Sequence, residues 1–378
     1  MVTTRRIGIN AHLLSAASGY RRAGIHHYIT QVLNHLPRDS AGFEYLIFSN
    51  GPTELQMERQ AQRLSSRWPT HRRLARIVWE QSAWPLAAAR LDLDLLHSTA
   101  FVTPLLSPAP TVVTVYDLSF VHYPDRFPVL QRLYLSSQTR RSCRQARRVV
   151  TISESGRRDV HTHLGVPLAQ IDVVTPGVGP QFRPRLAAEV KAFRERLGLP
   201  ERFILHVGTL QPRKNIHHVI DAFARLGRPE LALVLVGGEG WAYDEIYARV
   251  EALDLGRRVH FAGYVSDAEL PLWYNAATLL AFSSAYEGFG MPIAQAMACG
   301  TPVVAAATSA VPEVTGDAAL HYAAGDVGAL AEQMATVLDD AAVAAKMQAQ
   351  GRQQARRFSW TRAGEAMQAV YRRALEAE

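Results

Sequence analysis

Short apolar runs rich in valine and isoleucine recur along the chain, each followed by a stretch with helical spacing of its apolar residues. In the first half they are RIGIN at Arg6, YLIFS at Tyr45, DLLHS at Asp94, TVVTVYD at Thr111, RVVTIS at Arg148 and IDVVTPG at Ile171. Runs that are apolar without alternation suit strands covered on both faces, and the helical stretches between them suit crossovers, so the pattern predicts a parallel sheet wound on both sides. VGPQFRPRLAAEVKAFRERLGLP carries proline and charge but no strand pattern, and predicts a linker followed by an entry helix. A second series then begins: RFILHVG at Arg202, ALVLVGG at Ala232, VHFAGYV at Val259, TLLAFSS at Thr278, PVVAAAT at Pro302 and ALHYAAG at Ala319. After Phe358, the residues Trp360, Ala363, Met367, Val370, Tyr371 and Ala374 form one stripe of a closing helix that must pack on something.

The expected organisation is α/β, with two Rossmann-like parallel-sheet domains at 1–180 and 181–357 and a terminal helix at 358–378. Two open sheets of this kind bind ligands at the carboxyl ends of their strands, and facing each other they form a cleft there. At 378 residues the chain is long enough for two cores. No apolar run reaches the ~18–20 residues of a membrane span and MVTTRRIGIN does not resemble a signal peptide, so the expected location is the cytoplasm. Cys143 and Cys299 are the two thiols, expected as reduced, buried small hydrophobes.

Charge changes the picture because it is uneven. Residues 1–190 hold 23 arginines, no lysine and 13 acids, a net of +10, whereas the remainder nets −3. Such asymmetry favours an anionic partner near the first half, whether phosphorylated ligand, acidic membrane surface or nucleic acid, and equally fits a chain that is simply arginine-rich. Arg140, Arg141, Arg144, Arg147 and Arg148 read as one basic helix face, either solvated or in contact with a membrane or an anionic acceptor.

Two segments carry candidate chemistry. In FILHVGTLQPRKNIHHVIDAF a strand, a glycine turn at Gly208 and the pair Arg213-Lys214 precede a helix, where amide N–H groups and the helix dipole also favour anions. The spacing is not that of a Walker loop. EGFGMPIAQAMACG puts Glu287 at the carboxyl end of a strand, then Gly288 and Gly290 where backbone can approach a ligand, Pro292 in the first helical turn, Gln295 one turn in, and Gly300 as the stop. Weaker patterns are set aside: Asp92-Leu93-Asp94 has metal-site spacing but precedes a strand, and the pairs His26-His27 and His217-His218 diverge on a helix. For WEQSAW, Trp79 to Trp84, two readings stay open: a wall of an acceptor cleft, or core.

These motifs, in order, resemble glycosyltransferase family 4, retaining enzymes of the GT-B fold. AGIHHYI at Ala23, TVYDLSF, RVVTISE, VVTPGV, FILHVGTLQPRKN, LVGGEGW, FAGYVSDAEL, EGFGMP and VPEVTGDAAL each match a family motif, and the helix after FSW is similar to the one that crosses back to the first domain. The resemblance implies that Arg213 and Lys214 neutralise the diphosphate of a nucleotide-sugar donor, that Glu287 binds sugar hydroxyls, and that Asp117 belongs with them at the reacting centre. It implies further donor contacts from Gly24, Gly208, Thr209, Gly237, Gly238, Glu239, Gly288, Phe289, Gly290, Met291, Pro292 and Gln295.

Three departures stand out. Gln295 replaces a glutamate that grips the ribose, and an amide forfeits the stronger charge-assisted bonds. Tyr116 replaces a histidine, for which His97 and His122 are nearby substitutes, and Tyr116, His97 and His122 are the sugar or acceptor contacts expected there. Thr209 replaces a phosphate-binding arginine. The wording is most similar to bacterial mannosyltransferases of surface polysaccharide synthesis. The implied activity is metal-independent, retaining hexosyl transfer, mannose from GDP-mannose favoured, to a glycan or lipid-linked glycan at the inner face of the membrane. No cofactor and no nucleic acid is expected. The rival readings are a UDP-sugar donor, an epimerase or hydrolase on the same plan, and a non-enzymatic polyanion binder.

Overall fold

The computed structural model describes residues 4–14, 24–37, 42–50, 55, 61–66, 68–240 and 243–376; Ala23 and Trp241, which open and close two of the motifs, lie outside them. The chain separates into two units, residues 1–177 with 360–378, and residues 178–359. Among the described residues no helix is long and apolar enough to cross a membrane.

The first unit is built on β1 (Arg5–Asn10), β2 (Phe43–Ser49), β3 (Ala61–Ser65), β4 (Leu95–Ser98), β5 (Thr111–Val115), β6 (Arg148–Thr151) and β7 (Ile171–Val173), in the order β3-β2-β1-β4-β5-β6-β7. Every adjacent pair is parallel. All residues of β4 and β5 are buried, as strands under helices on both faces must be. β3 was not expected: AQRLS has no run of apolar residues, only Ala61 and Leu64, and as an edge strand it is largely exposed.

The second unit contains β8 (Phe203–Val207), β9 (Ala232–Val236), β10 (Val259–Gly263), β11 (Leu279–Phe282), β12 (Val303–Ala306) and β13 (Leu320–Tyr322), ordered β10-β9-β8-β11-β12-β13 and again wholly parallel. In both sheets the chain runs outward from its first strand and returns to that strand's other side. The order therefore reverses between β1 and β4, and between β8 and β11. In open α/β sheets such reversals leave a crevice at the strands' carboxyl ends.

The closing helix Trp360–Glu376 belongs to the first unit, and its expected stripe is buried. Gln368 Nε2 donates to the Tyr45 hydroxyl at 3.2 Å, and Arg373 reaches Asp172 at 2.8 Å. A Cβ at Gly364 would stand 1.9 Å from the His35 carbonyl oxygen, so glycine is what lets the two backbones meet.

Both cysteines are free and buried. Asp94 of the DLD triplet bonds Arg5 at 2.8 Å and the Arg6 N–H at 2.7 Å, a surface tie. Of the five arginines read as one face, Arg147 and Arg148 are not on the helix Val129–Gln145: Arg148 opens β6 and forks onto both oxygens of Asp172.

Candidate functional site

At the reversal point of the second sheet, two loops are stitched together. After β8 the chain passes Gly208, makes a single 3-10 turn over Pro212–Lys214, and enters the helix Ile216–Leu226 through Asn215 in a left-handed conformation. Ser283, just after β11, donates to the carbonyls of Lys214 at 2.7 Å and Asn215 at 2.9 Å. The Ala285 N–H donates to the Arg213 carbonyl at 3.0 Å, and Arg213 Nη1 returns a bond to the Tyr286 carbonyl at 2.6 Å. This lattice fixes where three side chains meet.

Lys214 Nζ donates to Glu287 Oε1, and Arg213 Nη1 lies 3.8 Å from Oε2. Lys214 is 8% exposed and Glu287 9%. The Glu287 N–H donates to Ser309 Oγ at 2.7 Å, which anchors the loop from the far side. Burial by itself would push the Glu287 carboxyl up, but Lys214 and then Arg213 outweigh it and hold it below its usual range. One carboxylate against two cations leaves an excess positive charge in a poorly solvated place. The arrangement favours an anionic ligand.

The neighbouring helix Met291–Cys299 starts after Gly290, at φ 98°, has Pro292 in its first turn, and stops at Gly300, at φ 82°. The Phe289 ring is buried against Phe358, centroids 5.1 Å apart, which leaves backbone as this loop's offering to a ligand, with Gly288 half-buried beside it. Gln295 Oε1 accepts from the Tyr274 hydroxyl at 3.0 Å.

The glycines after β8 and β9 have a structural task. A Cβ on Gly237 would lie 1.9 Å from the Gly208 carbonyl oxygen, and the Leu210 N–H donates to the Gly238 carbonyl at 2.9 Å. Thr209 is half-buried beside this contact, and Glu239 is exposed, accepting from the Tyr247 hydroxyl at 3.4 Å.

In the first unit several expectations need correction. His97 is 2% exposed, with Nδ1 2.8 Å from the Tyr371 hydroxyl and Nε2 2.9 Å from Thr114 Oγ1. Burial takes its pKa down to about 3, so it is a neutral tie between the closing helix and the sheet, not a sugar contact. The Tyr116 hydroxyl donates to the Thr99 carbonyl at 2.7 Å and is likewise buried. Asp117 Oδ1 accepts the Ser119 N–H at 2.9 Å, forming the turn into a short helix. Gly24 precedes the helix Ile25–Asn34 at φ 65° and ψ −101°, a conformation only glycine adopts readily, with nothing within 4 Å of an added Cβ. His122 Nε2 lies 3.1 Å from Asp159 Oδ2. With His163 these two bring candidate ligand atoms within 4.8 Å of one another, the set among the described residues that could hold a metal ion.

The motif reading missed His206, Tyr274, Ser283 and Ser309. His206 Nδ1 donates to the Ala281 carbonyl at 3.0 Å, and burial takes its pKa down to about 4, so an uncharged imidazole lies alongside Lys214. Only the paired serines that end TLLAFSS carried a visible signal.

A family model described as "Glycosyltransferase Family 4" matches residues 22–182, and one described as "Glycosyl transferases group 1" matches residues 189–354. The chain belongs to glycosyltransferase family 4. It is 32% identical over 253 residues to O-antigen chain mannosyltransferase B of Escherichia coli, across 66% of each chain. It matches the larger serotype-specific mannosyltransferase WbdA of the same organism over 37% of that protein's length. Among solved structures, sucrose-phosphate synthase from Thermosynechococcus elongatus superposes with a TM-score of 0.80 at 23% identity, covering 97% of this chain and 98% of the other. HepE of Anabaena in complex with UDP gives 0.76 at 20% identity, covering 98% and 100%. These likenesses establish the GT-B fold for this glycosyltransferase, with its two parallel sheets and returning helix.

Proposed function

We propose that this glycosyltransferase moves a hexosyl group from a nucleotide diphosphate to a hydroxyl of a glycan or lipid-linked glycan, in the synthesis of a surface polysaccharide. Mannose from GDP-mannose is the favoured donor, with retention at the anomeric carbon and without a metal. The observation that carries the reading is the Arg213, Lys214 and Glu287 cluster at the reversal point of the second sheet. As the nucleoside diphosphate departs, charge builds on its phosphate oxygens. Arg213, Lys214 and the start of the helix Met291–Cys299 are fixed in advance to stabilise that charge. Glu287 gives one oxygen to Lys214, and its longer contact with Arg213 leaves the other able to accept a sugar hydroxyl. Front-face attack, with the leaving phosphate taking the acceptor's proton, completes the step without a protein nucleophile. Mannosyl transfer is supported by the names of the E. coli relatives, and the UDP complex of HepE supports a UDP-sugar as the second reading.

A thermal-shift panel of UDP-, GDP-, ADP- and dTDP-sugars tests the donor, because a ligand of the folded state raises the melting temperature according to its concentration over its affinity. GDP-mannose is expected to give the largest shift, and a panel with no shift at all contradicts the reading. In the same panel Gln295→Glu should enlarge the shift. A carboxylate still accepts from Tyr274 while its second oxygen makes charge-assisted bonds to a ribose diol, roughly twice as strong as neutral ones. Equal shifts in both proteins would remove Gln295 from the ribose.

The same proposal puts the enzyme against an anionic membrane. Val129, Leu130 and Leu133 are exposed on the helix Val129–Gln145. A groove of about 910 Å³ beside them is lined by Arg132, Arg140, Arg141 and Arg144. Apolar and cationic side chains together suit a charged lipid surface. The protein should sediment with vesicles containing phosphatidylglycerol and not with pure phosphatidylcholine, and Leu130→Glu should weaken that binding; sedimentation independent of lipid charge would contradict it.

A further inference from the structure

The reversal point of the first sheet carries a polar cluster that donor binding does not use. Asn10, the last residue of β1, donates from Nδ2 to Glu80 Oε1 at 3.1 Å, and its own Oδ1 accepts the His12 N–H at 3.1 Å. His12 is 4% exposed, its ring centroid 3.8 Å from that of Trp79 and its Nδ1 2.6 Å from Thr70 Oγ1. Its Nε2 is buried and has no hydrogen-bond partner among the described residues. Glu80 stands on the helix Arg73–Gln81 with 13% of its side chain exposed, and its polar contacts among the described residues, Asn10 and Arg76 Nε at 3.9 Å, both fall on Oε1.

A buried polar atom left unpaired costs stability, and such sites persist where something else supplies the partner. We infer that Asn10, His12 and Glu80 form a hydroxyl-binding subsite for a neutral saccharide acceptor, with His12 Nε2 and Glu80 Oε2 as its unpaired positions. The inference rests on the transfer reading for the word acceptor; the subsite itself rests on this geometry. A sugar hydroxyl suits His12 in either tautomer. Where Nδ1 donates to Thr70, Nε2 accepts; where Thr70 donates, Nε2 carries the proton and donates, and a hydroxyl can do both.

The charge balance favours a neutral polyol over an ion. Burial pushes the Glu80 carboxyl up to about 7, against the opposing pull of Arg76 and Asn10, and burial with Arg76 nearby takes His12 down to about 4. Among the described residues the groups around Glu80 are Asn10 of β1, Arg76 of its own helix, and Tyr134 of the helix Val129–Gln145, which feels the Glu80 charge and has Arg73 over its ring at 5.7 Å. The half-buried Tyr134 ring, the Glu80 carboxyl and the Asn10 amide together offer both an apolar face and polar edges, as a sugar ring presents.

Saturation-transfer NMR with α-1,3-mannobiose as probe, alongside a GDP titration of the same samples, tests the subsite. The disaccharide should bind wild-type protein and tighten as pH rises through about 7, because an ionised Glu80 is the stronger acceptor. Glu80→Gln, which keeps the Asn10 bond, should weaken disaccharide binding about fivefold and abolish its pH dependence, and His12→Phe should weaken it about tenfold. GDP binding should be unchanged in both. Unaltered disaccharide binding in both variants, or none in a wild-type protein that binds GDP, overturns the subsite. A wild-type protein that binds the disaccharide and no nucleotide counts against the donor reading instead.

Discussion

Arg213→Ala and Lys214→Ala should each lower turnover about 10²-fold, the usual loss when one fixed donor to developing charge is removed. The two should differ in stability. Arg213→Ala leaves the Lys214–Glu287 pair intact and removes the longer, 3.8 Å contact together with the bond to the Tyr286 carbonyl, so its melting temperature should fall less than that of Lys214→Ala. Lys214→Ala leaves a buried carboxylate facing one distant cation, so it should lose stability as well as rate. Steady-state rates with the donor chosen by the thermal panel, together with melting curves, separate these effects. Unchanged turnover in both variants would remove the diphosphate from this site.

Glu287→Gln is the second large effect expected. An amide cannot neutralise Lys214, which is 8% exposed, and breaking a buried pair by removing one partner costs about 3–5 kcal/mol. Transfer should fall below detection, since the same side chain is assigned to the sugar hydroxyls. The pH dependence has a definite sign. The native Glu287 carboxyl titrates below its ordinary range, so its contribution to stability is present above the unfolded-state pKa and is lost as pH falls through the native one. Denaturant unfolding should therefore show a stability gap between wild type and Glu287→Gln that is flat around neutrality and closes in acid. A gap that persists unchanged at low pH would mean that the ion pair is not its source.

Twelve of the strands are legible because a parallel strand under helices on both faces has no reason to alternate, and so stands out as an apolar run. AQRLS in β3 is not legible, because an edge strand is held by its ladder to β2 and not by burial. The site divides in the same way. Gly208, Arg213, Lys214, Glu287 and Pro292 announce themselves through local turn and cap chemistry. The direct bond between Lys214 and Glu287 joins residues 73 positions apart, and depends on β8 and β11 being neighbours.

His97 misleads for a related reason. It lies one residue from the end of β4, where strand-end residues of this fold meet ligands, yet it faces a helix whose Tyr371 is 274 positions away. The alternation of a strand decides between face and rim, and nothing local reports which helix covers the face. Glu80 is the converse. WEQSAW left core and cleft as open readings, and the structure divides the motif: Trp79 and Trp84 are core, whereas Glu80 stays partly open beside Asn10.

The central claim is that the cations at the reversal point of the second sheet hold a nucleotide's diphosphate. Titration calorimetry of GDP against GMP, and of UDP against UMP, on wild-type protein and on the double variant Arg213→Ala with Lys214→Ala, tests it most directly. The wild type should prefer one diphosphate over its monophosphate by at least about tenfold, and the double variant should bind both alike. The same preference surviving in the double variant would place the second phosphate elsewhere and contradict the assignment.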